Sequence, residues 1–377
     1  MKPTLINSTV ESRTSNNLIV NLASPQTWMF LLALITILGV ATSNAQAQAS
    51  ILDQLKTPEI LSTVPSNGDL NPYGVAFVPA GFPVGGLLQA GDILVSNYNN
   101  NLNLQGMGTT IVDFRNGQQT LFFQAPPGSG LSTGLAVLKA GFVLVANLPT
   151  LDGTPATVQP GSLFAVNPQG QIVWTLADRT IINGPWDFTV YDQGARVTVF
   201  VANVLNGSIE RLVLGTTGGI SVISSTTISS NYPHHGDPAT LEDGPTGLAY
   251  DAARDILYVA STVDNAIYAL ADATKVVQNG LKGYRIYADS FHLHGALAMV
   301  LAPNGNLICS NNDVINPNAG QPSELVEFTR GGVFVAEYSV DPNLGGSFGL
   351  GFGTVNGKLT FAAVDDNTAT LKVWTLN

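Results

Sequence analysis

Charged residues make up only 11% of this 377-residue chain, and cations are the scarcer kind, with 15 lysines and arginines against 26 aspartates and glutamates. The resulting net charge of -11 argues against nucleic acid or anionic lipid as a partner, because neither would release counterions to an acidic surface. Cysteine is nearly absent. The only one, Cys309, has no mate for an internal disulfide, and within Leu307-Ile308-Cys309 it reads as a small buried hydrophobe. No His-Glu-x-x-His helix and no phosphate-cradling loop occurs. What is abundant is glycine (39) and proline (21) beside 45% hydrophobic residues, the balance of a turn-rich all-β protein with a large core.

Long apolar runs are also few. The longest, Trp28 to Ala41, is short for a bilayer span and fits a signal-peptide core. Ala45-Gln46-Ala47-Gln48-Ala49 then offers two Ala-x-Ala sites, so residues 1–49 read as a leader cleaved after Ala47 or Ala49. Residues 50–377 would be delivered to the periplasm or beyond, with no stable membrane insertion; an uncleaved anchor is the alternative.

One pattern recurs about every 50 to 60 residues, the period of a propeller blade. It is an apolar strand ending in a small residue and usually asparagine: Ile93 to Asn97, Val143 to Asn147, Val199 to Asn203, Leu257 to Ser261, Leu307 to Asn311, and a weaker Thr360 to Val364. Ahead of each copy lies a strand with a small residue near its start, as in Tyr73-Gly74-Val75 and Thr246-Gly247-Leu248; small side chains suit strands that converge on a narrow axis. Two more strands complete each unit. The expected fold is one all-β, six-bladed β-propeller of four-stranded antiparallel blades. The last unit lacks a fourth strand, and the orphan stretch Glu59 to Val64 is expected to supply it and close the ring.

Gly-Pro-Thr-Gly-Leu-Ala-Tyr at 244–250, Leu-Tyr-Val-Ala-Ser at 257–261 and Asn-Ala-Ile-Tyr-Ala-Leu at 265–270 together resemble an NHL repeat, in weaker form over residues 59 to 377. The chain is also similar to uncharacterised exported bacterial propellers in the broad TolB-like class. That resemblance implies a fold and no activity. The gluconolactonase and regucalcin family of propellers holds a divalent metal with acidic and amide side chains just before the inner strands. At those positions this chain has Tyr73, Thr133, Thr246 and Phe348, and only Asp187, one step displaced, matches in kind.

In a meander blade, the loop between second and third strands and the connection to the next blade share one face. Both kinds are long here, notably Leu148 to Gly161, Asn312 to Ser323 and Ser224 to Gly244, so binding is sought on that face. All four histidines fall in two of its connections, Tyr-Pro-His234-His235-Gly-Asp-Pro and Phe-His292-Leu-His294-Gly. In an extended segment His292 and His294 would share a side, and with Asp237, Glu242 or Asp243 they are candidate ligands for zinc, copper or calcium. Hydrogen-bonded loop histidines are the plainer explanation. Near the axis, Tyr73, Trp186, Asp187, Thr246 and Phe348 are candidates for a small-molecule site, with Trp186 and Tyr73 alternatively serving as packing. The strand-end asparagines read as turn caps rather than as a calcium ring, and Asp264, Asp313 and Asp365 with Asp366, which also follow second strands, are read the same way.

These residues point to two functions: a monomeric, non-catalytic propeller binding a small molecule, glycan or protein on its long-loop face, or a metal-dependent hydrolase or lyase using the histidines.

Overall fold

The computed structural model describes residues 49–131, 134–277 and 280–376. Nearly all of the expected leader, including Ala47, lies outside the described residues, as does Thr133. Among the described residues no helix is long and apolar enough to cross a membrane.

The structure is a six-bladed propeller of four-stranded antiparallel sheets. Blade 1 comprises Leu70–Phe77, Ile93–Asn99, Thr110–Arg115 and Gln118–Gln124. The next four run Leu135–Val137 to Ile172–Leu176, Pro185–Asp192 to Ser221–Ser229, Pro245–Asp251 to Tyr284–Tyr287, and Ala296–Leu301 to Phe334–Ser339. Blade 6 takes Ser347–Val355, Lys358–Asp365 and Thr370–Thr375 from the C-terminal end and Glu59–Ser62 from the N-terminal end. Leu61 pairs with Leu371 in that seam, so the expected ring closure is present.

The second strands read as unbroken apolar runs because both of their faces are buried. Val199 and Val201 pack toward blade 2, whereas Phe200 and Ala202 pack toward blade 4. Leu257 and Val259 alternate with Tyr258 and Ala260 in the same way. Each pair of neighbouring blades thereby encloses one hydrophobic layer, including the seam between blades 6 and 1. The small residues of the inner strands are sterically required: a Cβ on Gly349 would lie 1.6 Å from the Tyr73 carbonyl oxygen of the neighbouring blade.

The recurrent asparagine has a mechanical role. Asn97, Asn147, Asn203 and Asn311 each donate from Nδ2 to a backbone carbonyl in the connection entering their own blade, at Thr63, Ser129, Ile181 and His292. Asn203 Oδ1 also accepts from the Asn183 backbone N–H at 3.0 Å. The amide therefore fastens each long connection to a rigid strand, as the turn-cap reading expects. Replacing Asn203 with alanine leaves half-buried backbone partners without their bond on both sides. It is expected to cost about 1–3 kcal/mol, read from the urea midpoint at constant m.

Ahead of the closing strand, Glu327 of blade 5 accepts hydrogen bonds from Ser50 Oγ and from the backbone N–H groups of Ile51 and Leu52 at Oε2. Its Oε1 accepts from the side-chain amides of Asn304 and Asn306. Ile51 and Leu52 add to the layer between blades 5 and 6.

Candidate functional site

Antiparallel order puts the second-to-third-strand loops and the blade-to-blade connections on one face. The connection from blade 3 to blade 4 begins later than the sequence suggested, because the outer strand extends to Ser229. Between Ser229 and blade 4 the chain forms an unforeseen hairpin, His235–Asp237 paired with Leu241–Asp243. Leu241, fully buried at φ 72°, inserts into the axial cluster, and Gln105 Nε2 of a blade 1 loop donates to the Pro238 and Ala239 carbonyls at the hairpin tip. The hairpin is thus tied across the axis from blade 3 toward blade 1.

Beneath it, Tyr73, Tyr98, Trp186 and Phe348 pack together. Trp186 Nε1 donates to the Tyr73 hydroxyl at 2.9 Å, and the Tyr73 ring centroid is 5.8 Å from that of Trp186 and 5.0 Å from that of Phe348. Tyr98 meets Trp186 edge to face at 5.8 Å. Trp186 and Tyr73 plug the axis as packing, and the same rings form the floor of a cavity of about 260 Å³.

The cavity wall adds Asn71, Asn312, Asp313 and Asp366, with Ala239 and Thr240 from the hairpin. Sequence reasoning passed over Asn71, Tyr98 and Asn312, and gave Asp313 and Asp366 the same turn-cap reading as other strand-end residues. Four of these wall residues keep a buried polar atom with no partner among the described residues: Asn71 Oδ1, Tyr98 OH, Asn312 Nδ2 and Asp313 Oδ1. The usable sequence signal was the run Asn311-Asn312-Asp313 and the pair Asp365-Asp366, acid-bearing clusters directly after second strands. Burial, with Asp365 alongside, pushes Asp366 up to about 7; burial raises Asp313 as well, against two backbone N–H donors from Gly345 and Ser323.

Asp187 follows Trp186 on the same strand and so takes the opposite side. It lines a separate 270 Å³ channel enclosed by the inner strands, and burial pushes it up to about 7 although it accepts from the Phe188 N–H at 2.7 Å. Thr246 is fully buried outside both cavities, where its hydroxyl bonds the Leu297 carbonyl at 3.1 Å and links blade 4 to blade 5.

The histidines are engaged one by one. His234 Nδ1 lies 3.1 Å from the Tyr232 carbonyl, and His235 Nδ1 lies 4.0 Å from Asp243 Oδ2. The segment before blade 5 is a turn rather than an extended strand, because Asp289 Oδ1 accepts from the backbone N–H groups of Phe291 and His292. His292 consequently stacks on Phe334 at 3.7 Å and meets Asp289 at 3.0 Å. His294 is 2% exposed and has both ring nitrogens against carbonyl oxygens, Asn316 at 2.6 Å and Phe291 at 3.0 Å, which leaves neither for a metal. Asp237 Oδ1 caps Ala239 N–H in the hairpin, and Asp243 Oδ1 accepts from Thr240. Among the described residues no three His, Cys, Asp or Glu side chains gather as a metal site.

Gly130-Leu131-Ser132-Thr133-Gly134 has the spacing of a nucleophile turn, but it leads into strand Leu135–Val137 instead of the helix such a turn requires. A further cavity of 360 Å³ sits at the seam of blades 6 and 1, where Arg115 is already held by Asp92.

Six acids, the buried Asp113, Glu210, Glu242 and Glu324 and the half-buried Asp187 and Asp366, are each pushed up to about 7, in every case chiefly by loss of solvent. Their unfolded values lie near 4, so between roughly pH 4 and 7 the folded state binds more protons and stability falls as pH rises. The lowered acids Asp251, Asp255 and Asp289 are ionised in both states through most of that window and add little slope there. A melting temperature several degrees higher at pH 5 than at pH 8 is expected by calorimetry; the reverse order would contradict the burial of these acids.

No protein-family model matches the chain, and no curated protein matches it by sequence. Solved structures do. A putative gluconolactonase aligns over 87% of this chain and 96% of its own at 14% identity and TM-score 0.54. A gluconolactonase from Xanthomonas campestris aligns over 88% and 93% at 14% identity and TM-score 0.54. The calcium-binding protein regucalcin from Agrobacterium tumefaciens aligns over 85% and 96% at 13% identity and TM-score 0.50. At these identities the likeness establishes the class, six-bladed β-propellers, and the fold alone.

Proposed function

We propose that this chain, carried out of the cytoplasm by its leader, is a binding propeller that holds a small molecule in the axial cavity of its long-loop face. The observation that carries this reading is the cavity itself. Four aromatic side chains floor it, and the surrounding wall contains polar atoms that no described residue satisfies. Buried polar groups without partners are costly, and a ligand that meets them recovers that cost on binding. The Gln105 tether and the asparagine caps hold the surrounding loops in place, so little ordering remains to be done when a ligand enters.

A metal-dependent hydrolase is the second reading. It is favoured by the gluconolactonase and regucalcin names of the structural neighbours and by Asn71 Oδ1 and Asp313 Oδ1, oxygen donors of the kind calcium accepts. Binding ranks first because the cavity contributes only two carboxyl groups, Asp313 and Asp366, and the histidines are committed elsewhere.

The test is a thermal-shift screen of small molecules, with and without calcium, on the native chain and on Ala239→Trp. Ala239 is exposed at the cavity mouth, so tryptophan there fills the cavity without disturbing the core. Hits should disappear in Ala239→Trp and survive in Ala80→Trp on the opposite face. Hits indifferent to Ala239→Trp would place binding elsewhere, and turnover that needs calcium would favour the hydrolase.

A further inference from the structure

We infer that the axial cavity takes a compact organic cation of the alkylammonium type, held by the Asp313 and Asp366 carboxylates over the Tyr73, Tyr98, Trp186 and Phe348 rings. This rests on the axial cavity being the binding site.

The lining is one-sided in charge. No lysine, arginine or histidine contributes to it, whereas Asp313 and Asp366 both do, so an anionic ligand would find no counter-charge. Asp313 is 7% exposed and keeps Oδ1 without a partner among the described residues, while its Oδ2 is fixed by the Gly345 and Ser323 N–H groups. Asp366 makes no ion pair among the described residues, unlike its neighbour Asp365, which is matched by Lys372 at 3.0 Å. Two further acids of the hairpin, Glu242 and Asp243, lie close enough to the floor to act on Tyr98 and Tyr73 respectively. Acidic groups thus outnumber basic ones around the axis: no lysine or arginine lines the cavity, and the basic groups that reach these acids are two histidines outside the lining, His235 at 4.0 Å from Asp243 and His294 beside Asp313.

The aromatic floor selects among cations. A hydrated metal ion gains little from four rings, whereas an alkylammonium ion buries methyl and methylene surface against them and places its charge over their π electrons. Asn71 Oδ1 and the Asp313 carboxylate add acceptors for ammonium N–H or polarised C–H groups. A sugar of similar size would leave the two carboxylates without a counter-charge. A cavity of about 260 Å³ also restricts the ligand to something small.

The experiment is isothermal titration of the folded chain with choline, its neutral isostere 3,3-dimethylbutan-1-ol, glucose and calcium chloride. Choline is expected to bind one site at least about tenfold more tightly than the isostere, the scale of a desolvated cation–π and ion-pair contact. Asp366→Asn, a change at a half-exposed position, is expected to remove most of that preference, and Ala239→Trp to abolish binding. Failure of choline to bind, equal binding of the isostere, or a preference for glucose or calcium would overturn the cationic ligand class. Any of these ligands binding and then being blocked by Ala239→Trp would still support the axial site. Choline binding that survives Ala239→Trp would overturn the site itself.

Discussion

Glu327→Ala is expected to destabilise the protein by about 3–5 kcal/mol, one of the largest effects a single side chain can have here. Glu327 is fully buried and satisfies five donors: the Ser50 hydroxyl, the Ile51 and Leu52 backbone N–H groups, and the Asn304 and Asn306 amides. Alanine would leave those donors facing a void of carboxylate size, and of the five only the half-buried Asn304 amide lies near enough to the surface for water to replace it readily. The loss should spread beyond blade 5. Residues 50–52 lead directly to the closing strand Glu59–Ser62, and Trp374 Nε1 of blade 6 donates to the Lys56 carbonyl between them. Releasing the clasp therefore loosens the seam on which ring closure depends. Glu327→Gln keeps the shape and one oxygen acceptor and should lose about half as much, since one of its faces then presents N–H to amide donors. Urea unfolding with tryptophan fluorescence reads both variants. A cost below about 1 kcal/mol for Glu327→Ala would show that residues 50–52 are undocked in solution.

Much of this architecture was legible because its rules are local and repeated. Val143 to Asn147 and Leu307 to Asn311 coincide with observed strands, since an apolar run buried on both faces and ended by a capping asparagine announces both its span and its end. The closing strand was legible for a different reason: a blade short of one strand leaves an edge that only an orphan strand elsewhere can fill. The hairpin over the axis was not legible. His235 to Asp243 has no alternating pattern, and what holds it is Leu241 in the axial cluster and Gln105 from blade 1, contacts that exist only once the ring has formed. The Glu327 clasp was hidden likewise, because its partners are separated by more than 270 residues. At the site, Tyr73, Trp186 and Phe348 were placed at the axis by blade position alone, whereas Tyr98, Asn312 and Asp366 line the cavity through loop courses that periodicity does not encode. The histidine pair misled because alternation was assumed where Asp289 builds a turn.

Trp186→Ala is expected to cost about 3–5 kcal/mol as well, through a different mechanism, the cavity left by a large ring in a closed site. Trp186 is 2% exposed, meets Tyr73 and Tyr98 edge to face, and gives its indole N–H to the Tyr73 hydroxyl. Tyr73 lines both the loop-face cavity and the inner channel, so the Trp186–Tyr73 pair is the partition between them. Removing the indole joins the ligand cavity to a channel that contains the Asp187 carboxyl, which admits water behind the aromatic floor. Two measurements then separate packing from function. Trp186→Phe preserves a ring but leaves the Tyr73 hydroxyl without its indole donor, and should cost about 1–2 kcal/mol. Binding to the axial cavity should nearly vanish in Trp186→Ala at a temperature where the variant remains folded, and persist, weakened severalfold, in Trp186→Phe. A Trp186→Ala protein that binds as well as the native chain would mean that the aromatic floor serves only to plug the axis.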